Sequence, residues 1–281
     1  MVRPAMIASE EHIPDHHRGH HRLFRSSGQR LLIIPLIIYV VWVLETFLLE
    51  GSLGLFGHYQ SLPLILYTVF ANIMVGILVP LSCLGSAFRN GAVTTLQIGF
   101  RSLRRTALAS TFTGIIGYVA LVTFTPYGAD RLALFNMLGL VLPVAIASVM
   151  VCCVLTGTHL QAYVRHSGAF ASIVAGVLIT GLLFGLTALA HSPPVNQSYG
   201  ILVFILTGMA SAVYFFSIRD VYASSVFVAF GLAGILPSQI DPAYRDQAIP
   251  LVYGMALLSI ICLIACHLNL ARNFKTVRLP A

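Results

Sequence analysis

Eight apolar runs, each close to or above the roughly 20 residues that a helix needs to cross a bilayer core of about 30 Å, take up most of this chain. They fall at 31–49, 62–88, 106–125, 132–157, 170–191, 200–218, 221–237 and 251–270. Inside a bilayer no water satisfies backbone N–H and C=O groups, so segments of this kind fold as helices that bond within themselves. Composition agrees: 58% of residues are hydrophobic and 9% charged, where a soluble domain carries about a quarter charged residues. The expected fold is all-α, a polytopic membrane bundle of about eight transmembrane helices, with no soluble domain left over. The run 221–237, VYASSVFVAFGLAGILP, is the shortest of the eight.

The connecting segments orient the bundle, because cytoplasmic loops retain Lys and Arg. Arg3, Arg18, Arg22, Arg25, Arg30, Arg89, Arg101, Arg104, Arg105, Arg165, Arg219, Arg272, Lys275 and Arg278 fall on one side of an eight-span alternation. Of the 16 basic residues, only Arg131 and Arg245 fall on the other. Both termini are therefore expected in the cytoplasm. The formal net charge of +7 reads as topology and contact with anionic membrane lipids, and not as nucleic-acid binding. Residues 1–30 form a polar, His- and Arg-rich tail expected to be disordered, 31–270 the membrane domain, and 271–281 a basic tail. A polar tail ahead of LLIIPLIIYVVWVLETFLL makes that segment a retained span rather than a cleaved signal. The compact loops suit a prokaryotic plasma membrane. Five cysteines, all in apolar runs, suggest no disulfide framework.

Several residues are candidates for chemistry. His12, His16, His17, His20 and His21 crowd the N-terminal tail; imidazoles at this density can hold zinc, nickel or copper, or can simply charge as pH falls. Ionisable groups within spans are costly to bury, which makes each a functional candidate. His191 ends the fifth run before Ser192, Pro193 and Pro194, as either an interfacial histidine or a working group. Glu45 lies near the far end of the first run, within snorkelling reach of the interface. Cys262, Cys266 and His267 share a face of the last run, too few ligands for a closed tetrahedral site. Asn72 and Asn136 read as bonds between helices, and Gly176, Gly181, Gly185, Gly208 and Ala212 as close helix contacts. Pro63, Pro80 and Pro143 fall inside spans, where kinks are tolerated. Val93, Leu96, Phe100 and Leu103 recur at helical spacing beside Arg101, Arg104 and Arg105, which predicts a helix along the membrane interface. HExxH, GxSG and GxxxxGK[ST] are absent, and so is a pair of aspartates within spans.

Four segments together carry a resemblance. LQIGFRSLRRTALASTFTGIIGYVAL is a basic stretch leading into a span, and VCCVLTGTHLQAYVRHSGAFASIV runs from helix through glycine and an amphipathic stretch into the next. LLFGLTALAHSP and SIRDVYASSVFVAFGLAG complete the order. This layout, over about 90–235, resembles the CPBP family, the CAAX proteases and bacteriocin-processing membrane enzymes. That family carries EExxxR followed by glycine, FxxxH, and HxxxN or HxxxD. Matching Gly157 to its glycine puts Val151 and Cys152 at the paired glutamates and Thr156 at the arginine. Ala188 falls at the first histidine, one turn before His191, and Val228 and Leu232 at the last pair.

The resemblance thus implies a member without the family's catalytic residues, since neither Val151 nor the Cys152 thiol in an apolar helix can act as general base. The expected function is binding of a partner helix, a lipid or a lipidated peptide. An active CPBP-type intramembrane endopeptidase using His191 with displaced partners is the alternative, and an unrelated transporter or membrane-complex subunit a third reading. No cofactor is expected, and a metal ion only if the protease reading holds.

Overall fold

The computed structural model describes residues 20–89, 98–124, 131–192, 200–235 and 248–275, and among them there is helix but no strand. Helix α1 (His20–Thr46) widens into a π-helical stretch, Phe47–Gly51. Helix α2 (Ser61–Leu66), a second π-helical stretch (Tyr67–Leu78) and α3 (Val79–Arg89) form one rod. Then follow α4 (Leu103–Phe124), α5 (Arg131–Ser148), a third π-helical stretch (Val149–Gly157) and α6 (Thr158–Val164). Helix α7 (Ala169–Thr187) ends in a 3₁₀ turn, Ala188–Ala190. Helices α8 (Gly200–Ile218), α9 (Val221–Ile235) and α10 (Pro250–Lys275) complete the described chain.

Seven of these rods are long and apolar enough to cross a membrane. The run expected at 221–237 forms only α9, 15 residues or about 22 Å, short of the hydrocarbon thickness. The ends of the helices also move relative to the sequence reading. Helix α1 begins at His20, inside the segment expected as a tail, and α10 continues to Lys275.

Contacts fix how the rods run. Tyr39 Oη donates to the Leu183 carbonyl at 2.7 Å and Glu50 meets His191, so α1 and α7 are parallel. Thr106 bonds to Asp220, and a Cβ on Gly234 would meet Leu121 at 3.5 Å, so α4 and α9 are parallel as well. Tyr222 faces His267, while Asn136 accepts from the Ile249 N–H at 3.4 Å and the Tyr253 hydroxyl at 2.6 Å. The bundle therefore has a glutamate end, with Glu50 and His191, and an arginine end, with Arg101 and Arg219. The first helix starts and the last finishes at the arginine end.

The rod 131–164 is the centre: 89% of its most apolar window is buried, against 11% for α4. Every residue of Val149–Gly157 is buried. Its neighbours come close because small residues meet there; a Cβ on Gly76 would collide with the Cβ of Ala147. Helices α7 and α8 pack through Gly181, Gly185 and Gly208, where added Cβ atoms would strike Met209, Ile205 and Phe184, as the small-residue pattern predicts. Outward-facing Ile33, Ile37, Leu44, Leu48, Leu108 and Ile115 are more than half exposed, far more apolar surface than a monomer shows to water.

Two expectations change. The interfacial helix expected across Val93–Leu103 is not continuous, because residues 98–102 are turn and irregular chain with Gly99 at φ 83°; residues 90–97 lie outside the described residues. Ile98 and Phe100 are buried, and the Gly99 carbonyl accepts from the Val221 N–H at 3.1 Å. A side chain on Gly99 would meet Phe215 at 2.9 Å, so this crossing needs glycine twice over, for its φ and for the contact. Asn72, expected to bond between helices, instead donates to the Tyr67 carbonyl of its own rod at 3.4 Å.

Candidate functional site

Glu50 is the most deeply buried carboxylate among the described residues, at 0% exposure. The π-helical stretch that follows α1 carries it inward, and Gly51 beside it lets the backbones touch: a Cβ there would collide with the Ala190 carbonyl oxygen. Residues beyond Gly51 turn back, with Gly54 at φ 60°, which lays Leu55 and Phe56 over the cluster, both buried. From the other side, His191 leaves the 3₁₀ turn in extended conformation, φ −82° and ψ 162°, and Ser192 precedes a proline that holds it away from helix.

All of the carboxylate's visible partners come from that second segment. His191 Nδ1 lies 2.7 Å from Glu50 Oε2, the Ser192 N–H donates to both oxygens at 3.2 Å, and the Ser192 hydroxyl donates to Oε1. Phe56 stacks on the imidazole with centroids 5.7 Å apart, and Phe204 covers it at 6.1 Å. The order of groups differs from that of a nucleophilic triad. There the histidine sits between serine and carboxylate, whereas here the carboxylate sits between serine and histidine. A general base must reach the proton it takes, and both Glu50 oxygens are engaged by the protein. The arrangement suits clamping two helix ends together.

The arginine end is built differently. Only Arg219 and Asp220 separate α8 from α9, and Arg219 takes a left-handed φ of 50° to make the reversal. Asp220, 2% exposed, accepts the Ala223 N–H at 3.0 Å, capping α9, and the Thr106 hydroxyl at 2.7 Å. Arg219 reaches Gln161 Oε1 at 2.7 Å and lies over the rings of Phe215 and Phe216. Arg101 Nε donates to the Arg219 carbonyl at 2.9 Å. Burial, and secondarily the Arg101 charge, lower the Arg219 guanidinium from its ordinary value. On α10, His267 Nδ1 lies 3.1 Å from the Tyr222 hydroxyl. No group of three or more His, Cys, Asp or Glu side chains converges to hold a metal among the described residues.

Between α4, α8 and α9 lies a cavity of about 520 Å³, within the roughly 300–1,000 Å³ of ligand pockets. Gly117, Ala120, Gly231 and Gly234 are among the residues that line it, and Gly117 lets Phe230 come close, because a Cβ there would collide with that ring. Phe112, Ile116 and Phe124 stand exposed along its α4 rim. Its polar atoms are few, and Thr113 and Tyr214 bond to each other in the wall. A smaller cavity of about 290 Å³ lies on the other side of Phe230, against α5 and α10.

The positions aligned with the protease motifs lie elsewhere. Val151, Cys152, Thr156 and Gly157 belong to the buried π-helical stretch, with Thr156 Oγ1 donating to the Val151 carbonyl at 2.8 Å and Thr180 to that of Cys152 at 3.3 Å. Ala188 is buried at the glutamate end, and Val228 and Leu232 in α9. Thr180 and His191 are separated by about 16 Å of helix rise, so His191 is not brought to Cys152. None of these positions lines either cavity. His12, His16 and His17 lie outside the described residues; His20 and His21 open α1. No family model, no curated protein and no solved structure matches this chain.

Proposed function

We propose that this protein is a catalytically silent, CPBP-like multi-pass membrane protein that takes the hydrocarbon chain of a lipid or lipidated peptide into the groove between α4, α8 and α9. The observation that carries the reading is the groove itself, apolar, with its one polar pair mutually satisfied. Such walls reward hydrocarbon and offer nothing to a polar solute. From Phe112 to Phe124 it follows about 18 Å of helix, slightly more than the depth of one leaflet. The vacated motif positions Val151, Cys152, Thr156, Ala188, Val228 and Leu232 support the silent reading. On the positive-inside rule the arginine end faces the cytoplasm of a prokaryotic cell, with both termini there, and the groove occupies the outer half of the membrane.

The test is photo-crosslinking of the full chain in bilayers with diazirine-labelled acyl and prenyl chains. Labelling should map to α4 and α9 around the groove and fall at least fivefold in Ala120→Trp, which fills it. Leu108→Trp, on the lipid-facing side of α4 away from the groove, should label as before. Equal labelling in all three would overturn the reading.

The Glu50–His191 contact favours one second reading, an active intramembrane endopeptidase with displaced residues. Cleavage of a transmembrane or prenylated peptide by purified protein, abolished in His191→Ala, would establish it.

A further inference from the structure

Over residues 226–234, α9 is buried except at Val226, Phe227, Phe230, Gly231 and Gly234. At about 3.6 residues per turn, Phe230 stands in the middle of that strip, with Val226 and Ala229 to one side and Phe227, Gly231 and Gly234 to the other. Both sides are hollow. Phe227, Phe230, Gly231 and Gly234 line the cavity of about 520 Å³ against α4 and α8, and Val226, Ala229 and Phe230 line the one of about 290 Å³ against α5 and α10. Phe230 is the wall they share. Its ring is seated on α4, where a Cβ on Gly117 would collide with it.

The smaller cavity is as apolar as the larger. Phe135, Leu138 and Leu142 of α5 face it, and its one polar side chain, Tyr253, spends its hydroxyl on Asn136 at 2.6 Å. Phe135 stands exposed at its rim, as Phe112 and Phe124 do along the other. Both cavities lie toward the glutamate end. Phe112–Phe124 is the second half of α4, which starts at the arginine end, and Tyr253 opens α10, which finishes there. Two hydrocarbon slots at one depth, parted by a single ring, match the two chains of one lipid molecule in one leaflet.

We infer that the protein binds a two-chain lipid astride α9, with one chain on each side of Phe230. This rests on the reading of the larger groove as a hydrocarbon site and adds the class of ligand. A single chain fills one groove and leaves the other. A second chain on the same molecule reaches the second groove at the high effective concentration that a short tether gives.

The test uses the full chain in detergent micelles that carry, at equal mole fraction, either diazirine-labelled phosphatidylglycerol or its one-chain lyso form. The common headgroup leaves chain number as the difference. The two-chain probe should label α4 more strongly by about tenfold. Leu138→Trp, which fills the smaller groove, should remove that advantage while one-chain labelling of α4 stays as in wild type. A phosphatidylglycerol with a diazirine on each chain should link a peptide of α4 to one of α5 or α10 in the wild-type protein, a measurement that needs no variant to fold. Equal labelling of wild-type α4 by the two probes, or no such linked peptides, overturns the inference and leaves the larger groove as a one-chain site. An advantage that persists in folded Leu138→Trp overturns it too. If neither probe labels α4, the groove reading falls and the inference with it.

Discussion

The two ends of the bundle each bury a carboxylate, and they do so by opposite means. At the arginine end, Asp220 is satisfied within one turn of its own chain, by the Ala223 N–H, and once from outside, by Thr106. At the glutamate end, Glu50 draws its visible donors from a segment more than 140 residues away. A local cap forms as soon as its helix does, so it stabilises an element. A remote clamp exists only once α1 and α7 lie side by side, so it stabilises a packing. Losing the first leaves a frayed helix start, while losing the second leaves buried donors facing nothing.

That difference orders the expected effects of mutation. Glu50→Ala should cost the most, about 3–5 kcal/mol, because it strands His191 and the Ser192 donors in a dry interior. Thermal unfolding of the detergent-solubilised protein measures it, and an unchanged midpoint would show that Glu50 holds nothing together. Next comes Gly51→Ala, whose added methyl meets the Ala190 carbonyl and forces the clamped segments apart, at about 1–3 kcal/mol. If the two segments are as tightly joined as the contact implies, this substitution combined with Glu50→Ala should cost less than the sum of the two.

Asp220→Ala should cost about 0.5–2 kcal/mol, the range for removing a cap, and Asp220→Ser should recover part of it. A loss as large as that for Glu50→Ala would erase the contrast between the ends. Smallest of all, Ala120→Trp in the groove should stay within about 0.5 kcal/mol of wild type, because that side chain meets lipid rather than the core. The same variant should lose chain labelling, which separates a binding surface from a structural one.

Much of the fold is legible in the sequence because its rules act locally. Apolar runs of membrane length, punctuated by arginines, specify helices and their number to within the short α9. The glycines of α7 and α8 announce a close contact that the structure contains. Asn136 links α5 to α10 as expected. The site is less legible. His191 can be singled out from its place at the end of an apolar run, but the acidic residue first considered, Glu45, is not its partner. Glu50 escapes because the apolar run is read as ending at residue 49, one position short of it, which assigns that charge to a loop. The stripe Tyr39, Trp42, Thr46, Glu50 was the available signal: its period of three to four residues carries the helix one turn further and puts Glu50 on the buried face.

The sequence by itself determined that the chain is a helical membrane bundle, where its helices run, and which surfaces are small enough to touch. These follow from hydropathy and side-chain size, which each residue carries with it. Only the tertiary structure decided that Glu50 meets His191 and Ser192, that Asn72 turns back on its own rod, and that a groove opens between α4, α8 and α9. Such outcomes depend on the rotation and depth of one helix against another. That setting is fixed by the packing of many neighbours at once, and no single segment encodes it.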